Sequence, residues 1–80
     1  MNKELLLNIN KIHTTALGKT RIEKNLGLKN QDVIKYCREK IVNKKTKIYL
    51  KGKNWYCEKD NIIITINSYS YTIITAHKKK

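Results

Sequence analysis

The N-terminal half of the chain has the apolar spacing of helices. Apolar residues recur at intervals of three and four positions, and they form a stripe of Leu5, Leu6, Ile9, Ile12, His13, Ala16 and Leu17. This period predicts an amphipathic first helix. Gly18 follows the stripe at a position where helices commonly end, so we expect the helix to stop there.

Two further helices are predicted before the middle of the chain. Thr20 and Glu23 have the spacing of a capping box, which indicates a second helix that ends at Gly27. Asn30 is the expected N-cap of a third helix, with Asp32 in its first turn. That helix should end near residue 43 and direct inward Val33, Ile34, Cys37 and Ile41.

From residue 46 onward, β-branched and aromatic residues alternate with polar ones. This period of two predicts four strands at about residues 46–51, 53–58, 62–67 and 71–77. The connections are short and polar, so consecutive strands should pair antiparallel. We therefore predict an α+β fold of one domain over residues 1–80, with N-terminal helices (2–43) packed on one face of a four-stranded antiparallel β-meander and a basic tail at 78–80.

The alternation also assigns the strand residues to two sheet faces. The more apolar set should pack against the helices: Ile48, Leu50, Trp55, Cys57, Ile62, Ile64, Ile66, Ile74 and Ala76. The other set should form an open face: Lys47, Tyr49, Lys51, Asn54, Tyr56, Ile63, Thr65, Asn67, Tyr71, Ile73, Thr75 and His77. Lysines interleaved with tyrosines favour single-stranded nucleic acid, because cations bind phosphates and rings stack on bases.

The charge of the chain narrows the choice of partner. Eighteen Lys and Arg against six Asp and Glu give a net charge of +12, which favours a polyanion. Nucleic acid is the expected partner, and an acidic protein such as an antitoxin is the alternative. No apolar stretch approaches the roughly 20 residues of a membrane-spanning helix, and the first residues lack the features of a signal peptide. We therefore expect a cytoplasmic protein with no membrane partner.

The two cysteines do not indicate a disulfide framework or a metal site. Cys37 and Cys57 are expected to be free thiols. A zinc site that joined them to His13 and His77 would lack the short ligand spacings typical of such sites. We therefore expect neither a metal nor another cofactor.

Candidate catalytic chemistry centres on His13 and His77, with Tyr71 and Arg21 as a further proton donor and a cation. Cleavage of RNA without metal needs such groups. A base takes the 2′-hydroxyl proton, an acid protonates the leaving 5′-oxygen, and cations stabilise the transition state. DNA lacks the 2′-hydroxyl, so RNA is the preferred target. The predicted nucleic-acid-binding residues are Lys47, Tyr49, Lys51, Lys53, Asn54, Tyr56, Asn67 and Thr75.

Each candidate also has a simpler explanation. His13 fits a core position in the apolar stripe, and His77 fits an exposed strand end. Tyr71 fits a half-buried strand position, and Arg21 fits an ion pair with a neighbouring carboxylate. The sequence alone leaves both sets of explanations open.

Three groups of residues carry a resemblance to a known family. They are the stretch from Ile12 to Gly18 with Arg21-Ile22 and Asn25-Leu26, the stretch from Gly52 to Tyr56, and the stretches from Ile64 to Asn67 and from Ser70 to His77. Over nearly its whole length the chain resembles a family of small bacterial proteins catalogued as domain of unknown function 3781. This resemblance implies no established activity.

The predicted architecture resembles a second group more distantly. Helices followed by a four-stranded antiparallel sheet are similar to the barnase, colicin and RelE-type ribonucleases, many of which are toxins paired with antitoxins. That resemblance implies catalysis without metal by His, Lys, Arg, Tyr or Thr on the sheet face. The chain departs from the RelE pattern because it has no evident strand before its helices.

The leading hypothesis is therefore an RNA-directed, toxin-like, metal-independent endoribonuclease that uses the open face with His13 or His77. The alternative is a non-catalytic inhibitor or regulator that binds nucleic acid or an acidic protein through the same face.

Overall fold

A computed structural model describes residues 2–29 and 31–79 of the chain. Three helices, α1 (Asn2–Leu7), α2 (Ala16–Leu26) and α3 (Val33–Val42), and a short 3₁₀ helix (Ile9–Lys11) precede the strands. The strands are β1 (Lys47–Lys51), β2 (Asn54–Lys59), β3 (Ile62–Asn67) and β4 (Ile73–Lys78). They pair antiparallel in the order β1-β2-β3-β4, which confirms the predicted α+β fold with a four-stranded meander.

The prediction of one first helix up to Gly18 is wrong. The chain leaves the α-helix after Leu7, and residues 12–14 are non-helical and lie beside the sheet. The His13 amide donates to the Tyr71 carbonyl (3.1 Å), and the Ile73 amide donates to the His13 carbonyl (2.7 Å). These bonds form a parallel bridge between His13 and Thr72. Pairing with a distant segment has overridden the local helical period here.

The second helix begins earlier than predicted. Its N-cap is Thr15, whose hydroxyl accepts a hydrogen bond from the Gly18 amide (3.0 Å). The predicted capping box at Thr20 is wrong, because the Thr20 hydroxyl lies inside the helix and donates to the Ala16 carbonyl. Gly18 is buried in the first turn, where a Cβ atom would collide with the Thr14 hydroxyl. Gly18 therefore permits a close approach and does not end a helix.

The ends of the helices agree better with the sequence. Gly27 adopts the left-handed conformation (φ 67°) after α2, as predicted for a helix end. Asp32 is the N-cap of α3, with its carboxylate accepting from the Lys35 amide (3.1 Å), so its predicted place in the first turn is wrong. Asn30, the predicted N-cap, lies outside the described residues. The predicted inward residues Val33, Cys37 and Ile41 are buried.

The strand register confirms most of the predicted faces and corrects β4. The rows on the helix side contain Ile48, Cys57, Ile64 and Ala76, then Leu50, Trp55, Ile66 and Ile73, although Leu50 on the edge strand is 40% exposed. A β-bulge opposite Thr65 and Ile66 inserts one residue in β4. Ile73 is therefore buried (1% exposed) and Ile74 is exposed (42%), the reverse of the prediction.

Tyr71 also lies elsewhere than predicted. It precedes β4, and its ring centroid is 5.5 Å from that of the buried Trp55. Its ring therefore lies on the helix side of the sheet and not on the open face.

The hydrophobic core lies between the helices and this sheet face. It combines Leu5 and Ile12 with Ile22 and Leu26 of α2, the inward residues of α3 and the buried residues of β2, β3 and β4. Helix α2 runs along β4, where the Asn25 side-chain amide donates to the Ala76 carbonyl (3.3 Å). Within the described residues, no helix is long and apolar enough to cross a membrane.

The predicted basic tail is wrong for two of its three residues. Lys78 belongs to β4, and the Lys79 amide donates to the Asn61 carbonyl (2.6 Å). Lys80 lies outside the described residues.

Candidate nucleic-acid interface

The sheet face away from the core, called the open face here, consists of three rows across the strands. The terminal row contains Lys51, Asn54, Asn67 and Thr72; the central row contains Tyr49, Tyr56, Thr65 and Thr75; the far row contains Lys47, Glu58, Ile63 and His77. Every residue in these rows except Thr65 is at least partly exposed. The described helices therefore leave this face accessible.

A pair of stacked tyrosines occupies the central row. The rings of Tyr49 and Tyr56 are 5.5 Å apart between centroids, with an interplanar angle of 20°. The Tyr49 hydroxyl donates to the Glu58 carboxylate (2.7 Å), and the Lys47 ammonium lies 5.8 Å from the Tyr49 ring centroid. These contacts hold the aromatic pair in place, and a base stacking on it would meet a preorganised surface.

The hydrogen bond between Tyr49 and Glu58 shifts the pKa of both residues. Donation to Glu58 raises the pKa of Tyr49, because loss of the phenolic proton would break the bond and place two negative charges together. The pKa of Glu58 is lowered by the bonds from Tyr49 and from Lys79, whose ammonium is 3.2 Å away. Glu58 is the only acidic residue in the three rows, and its carboxylate is thus already bonded to Tyr49 and Lys79.

Free positive charge is concentrated at the β1 side of the open face. Residues 44–53 include five lysines and no acidic residue. We call these the lysine edge: Lys44, Lys45, Lys47, Lys51 and Lys53. All five are exposed, and none forms an ion pair with a carboxylate in the described part of the chain. By contrast, Lys40 and Lys59 are paired with Asp60.

The charge is not confined to this face. Exposed lysines also lie on the helices, among them Lys19 and Lys24 on α2 and Lys35 on α3. The expected gathering of cations on the open face therefore holds only in part. What distinguishes the lysine edge is a dense run of unpaired cations beside aromatic rings.

His13 lies at the terminal row and not in the core. Its neighbour Ile12 takes the buried position (4% exposed), whereas His13 is exposed. Its Nε2 atom is 3.1 Å from the Thr72 hydroxyl oxygen, and its Nδ1 atom is 2.9 Å from the Lys11 carbonyl oxygen. His13 thus adds an imidazole to the terminal row. The sequence pattern had placed this side chain among apolar residues.

His77 is on the same face but far from His13. It occupies the far row, with its Nδ1 atom 3.1 Å from the Lys78 carbonyl oxygen. His77 follows Thr72, the partner of His13, by five positions, which corresponds to roughly 15 Å along a strand. The two histidines therefore do not share one reacting phosphate.

Of the other two candidate catalytic residues, Tyr71 contacts His13 through its backbone carbonyl, but its ring lies elsewhere. The Tyr71 ring is on the helix side, with the Lys11 ammonium 5.8 Å from its centroid. Arg21 is exposed on α2, one turn before Asn25. Asn25, and not Arg21, approaches the Thr75 hydroxyl of the central row (3.5 Å).

Comparison with known families gives one result. A family model described as "Protein of unknown function (DUF3781)" matches residues 6–77. The chain belongs to this family. The DUF3781 match includes all four strands except the last residue of β4, and so every residue in the three rows of the open face. No match to the chain was found among curated proteins or among solved structures. The comparisons thus give no support to the expected resemblance to ribonucleases.

Most of the predicted binding residues of this DUF3781 chain share one sheet face, whereas Lys53, predicted to begin the second strand, does not belong to a strand. Seven are on the open face, and Lys53 is in the β1–β2 turn, where its carbonyl accepts from the Ser68 amide (2.8 Å). Sequence reasoning missed Thr72 and Ser70, because nothing in the local pattern indicates that they contact His13. It also missed Lys44 and Lys45, although the density of lysines after residue 43 was a visible signal.

The cysteines take no part in this surface. Cys37 and Cys57 are buried free thiols, and burial raises the pKa of each to about 12. Within the described residues, no group of three or more His, Cys, Asp or Glu side chains is arranged to hold a metal ion.

Proposed function

We propose that the protein binds single-stranded nucleic acid, and RNA in particular, on the open face. The observation that carries this proposal is the lysine edge beside the stacked Tyr49–Tyr56 pair. Phosphates bind the lysines, which have no carboxylate partner to lose among the described residues. Bases stack on the tyrosine pair and approach the side-chain amides of Asn54 and Asn67 in the terminal row.

The proposal is tested by replacing the aromatic platform. Tyr56→Leu keeps an apolar side chain in the strand but removes the ring, and Tyr36→Leu in α3 makes the same change away from the open face. Stacking is worth about 1–3 kcal/mol per base, so Tyr56→Leu should weaken binding of a labelled RNA oligonucleotide at least several-fold in fluorescence anisotropy. Equal affinities for wild type and Tyr56→Leu, or equal losses in the two variants, would refute the proposed platform.

A second candidate function is metal-independent cleavage of the bound RNA, and the placement of His13 favours it. The imidazole lies at the terminal row, close to where the sugar-phosphate backbone would pass. In this reaction the Thr72 hydroxyl takes the 2′-hydroxyl proton as it passes its own proton to Nε2 of His13, the 2′-oxygen attacks phosphorus, and the bond to the 5′-oxygen breaks. His77 is too distant to protonate that 5′-oxygen, which would take its proton from water or a nearby lysine ammonium.

Cleavage is tested separately from binding. Labelled RNA is incubated with the protein in EDTA, and the products are analysed for 2′,3′-cyclic phosphate ends. If His13 is the base, His13→Ala should abolish these products while His77→Ala leaves them. Intact RNA after incubation with a wild-type protein that binds it would reject the endoribonuclease and leave a non-catalytic binder.

A further inference from the structure

A continuous chain of hydrogen bonds ends on the open face at the terminal row. It runs from the Lys11 carbonyl to the His13 ring (2.9 Å), from the ring to the Thr72 hydroxyl (3.1 Å) and on to the Ser70 hydroxyl (2.8 Å). We call this the hydroxyl relay. His13 and Ser70 are exposed and Thr72 is half-buried, so a ligand on the open face reaches its outer end.

The direction of every proton in the relay follows from its first member. A carbonyl oxygen only accepts hydrogen bonds, so Nδ1 of the neutral His13 ring carries the proton and Nε2 is an acceptor. The Thr72 hydroxyl must then donate to Nε2. Because the Thr72 proton is used there, the Ser70 hydroxyl is the donor in its 2.8 Å bond to Thr72, with the Asn67 side-chain oxygen (3.2 Å) as a second, longer acceptor. Both hydroxyl protons are thus used within the relay, and the Thr72 amide also donates to the Ser70 hydroxyl (3.4 Å), so each hydroxyl oxygen keeps one lone pair for a ligand.

The loop around the relay holds it in place. The Asn67 side-chain oxygen also accepts from the Tyr69 and Ser70 amides (3.0 Å each). Tyr71 adopts a left-handed conformation (φ 60°), which is strained in a residue other than glycine. In the same row, the Asn54 side-chain oxygen is buried without a hydrogen-bond partner in the described residues. That oxygen is too buried for a ligand to reach, so the acceptors that a ligand meets in this corner are the hydroxyls of Thr72 and Ser70.

The relay is not needed to hold the N-terminal segment against the sheet. Two backbone hydrogen bonds already join His13 to the segment before β4, and the Thr14 hydroxyl donates to the Ile73 carbonyl (3.0 Å). The side chains of His13, Thr72 and Ser70 therefore add an acceptor surface rather than a necessary structural tie.

We infer that the hydroxyl relay receives the 2′-hydroxyl of a ribose and selects RNA over DNA. This inference rests on the proposed function, since it concerns the same face. The 2′-hydroxyl donates its proton to a free lone pair of Thr72 or Ser70, whereas deoxyribose has no proton to donate there. A phosphate oxygen, which also lacks a proton, gains no hydrogen bond from these lone pairs.

The test compares three oligonucleotides of one base sequence: RNA, the corresponding DNA with deoxyuridine, and RNA with 2′-O-methyl groups. The last keeps the 2′-oxygen but has no proton to donate. Wild-type protein should bind RNA about fivefold more tightly than either of the others, as expected for one hydrogen bond of about 1 kcal/mol.

Thr72→Val preserves the side-chain shape and removes the hydroxyl, so it should reduce RNA affinity to the level of DNA and leave DNA affinity unchanged. Ser70→Ala, in the exposed loop, is the second variant in case Thr72→Val does not fold, as judged by circular dichroism. Ser68→Ala, in the same loop, is the matched control and should keep the preference.

The outcomes separate the two proposals. If no oligonucleotide binds wild type, the proposed function itself fails. If RNA, DNA and 2′-O-methyl RNA bind equally, nucleic-acid binding stands and selection by the relay is wrong. A preference for RNA that survives in the folded Thr72→Val and Ser70→Ala variants would also overturn the inference.

Discussion

The ring of His13 is held at both nitrogens by groups that come from different parts of the chain. The Lys11 carbonyl is two residues away, whereas Thr72 is 59 residues away and reaches the ring only because the sheet brings it there. Reading the sequence identified His13 as a candidate but placed it on an apolar stripe. Its orientation depends on a long-range contact that no local pattern contains.

The tautomer of His13 is directly measurable. We expect the neutral ring to carry its proton on Nδ1, because the Lys11 carbonyl can only accept. Long-range ¹H–¹⁵N correlation spectra should show this tautomer, and Thr72→Val should shift the Nε2 resonance by removing its donor. The His77 ring, which does not contact Thr72, provides the internal control. A His13 ring protonated on Nε2 would contradict the relay.

The ion pairs of Asp60 should make the stability of the protein depend on pH in the acid range. Its carboxylate binds the ammonium groups of Lys59 (2.8 Å) and Lys40 (2.9 Å), and these bonds lower its pKa from 3.8 to about 2. A lowered folded-state pKa contributes stability that is present above the ordinary pKa and is lost as pH falls toward the folded value. Wild type should therefore lose this contribution between about pH 4 and pH 2.

Asp60→Asn is the variant that isolates this charge, because Asn tolerates the left-handed conformation found at this turn (φ 53°). In urea unfolding, wild type should be more stable than Asp60→Asn near neutral pH. The two proteins should converge as the pH is lowered through the window above. A constant difference at every pH would mean that the ion pairs contribute nothing.

The strands could be read from the sequence because their signal is local. Alternation fixed the faces of β1, β2 and β3, and Asp60-Asn61, with two positive φ angles, forms the tight turn expected between β2 and β3. One inserted residue was enough to exchange the sheet faces of Ile73 and Ile74, since a shift of one position moves a side chain to the other face. The N-terminal helices were less predictable because the segment before α2 pairs with β4 instead of continuing a helix.

The start of α2 gives a paired prediction. Thr15→Ala removes the N-cap hydroxyl that accepts from the Gly18 amide, and it should reduce the free energy of unfolding by about 1 kcal/mol. Thr20→Ala removes a hydroxyl inside the helix and introduces a better helix former, so it should be neutral or slightly stabilising. Urea denaturation of both variants tests where α2 begins. A larger loss of stability for Thr20→Ala than for Thr15→Ala would indicate that the helix begins at the predicted capping box.

At the scale of the whole molecule, a net charge of +12 attracts any polyanion, so binding alone does not locate a site. Long-range attraction depends on total charge, whereas a defined binding face depends on which cations contact phosphates. The exposed lysines on α2 and α3 contribute to the first effect. Those of the lysine edge, beside the tyrosine pair, should contribute to both.

Two double variants with the same net charge distinguish these effects. Lys47→Gln with Lys51→Gln changes the lysine edge, and Lys24→Gln with Lys35→Gln changes the helices; each pair lowers the charge from +12 to +10. For single strands, each phosphate contact contributes about 0.7 to the slope of log K against log salt concentration. The first variant should therefore lower the magnitude of that slope by about 1.4, and the second should leave it nearly unchanged.

The salt series should include polyglutamate as a competitor, because it carries negative charge but has no bases to stack on Tyr56. If the open face binds RNA as proposed, polyglutamate should compete weakly, and its effect should disappear at salt concentrations where RNA remains bound. Equal changes of slope in the two double variants, or competition by polyglutamate as strong as that by unlabelled RNA, would mean that the charge acts diffusely. The positive excess would then favour an acidic partner of any kind, and the ordered tyrosines and amides of the open face would need another explanation.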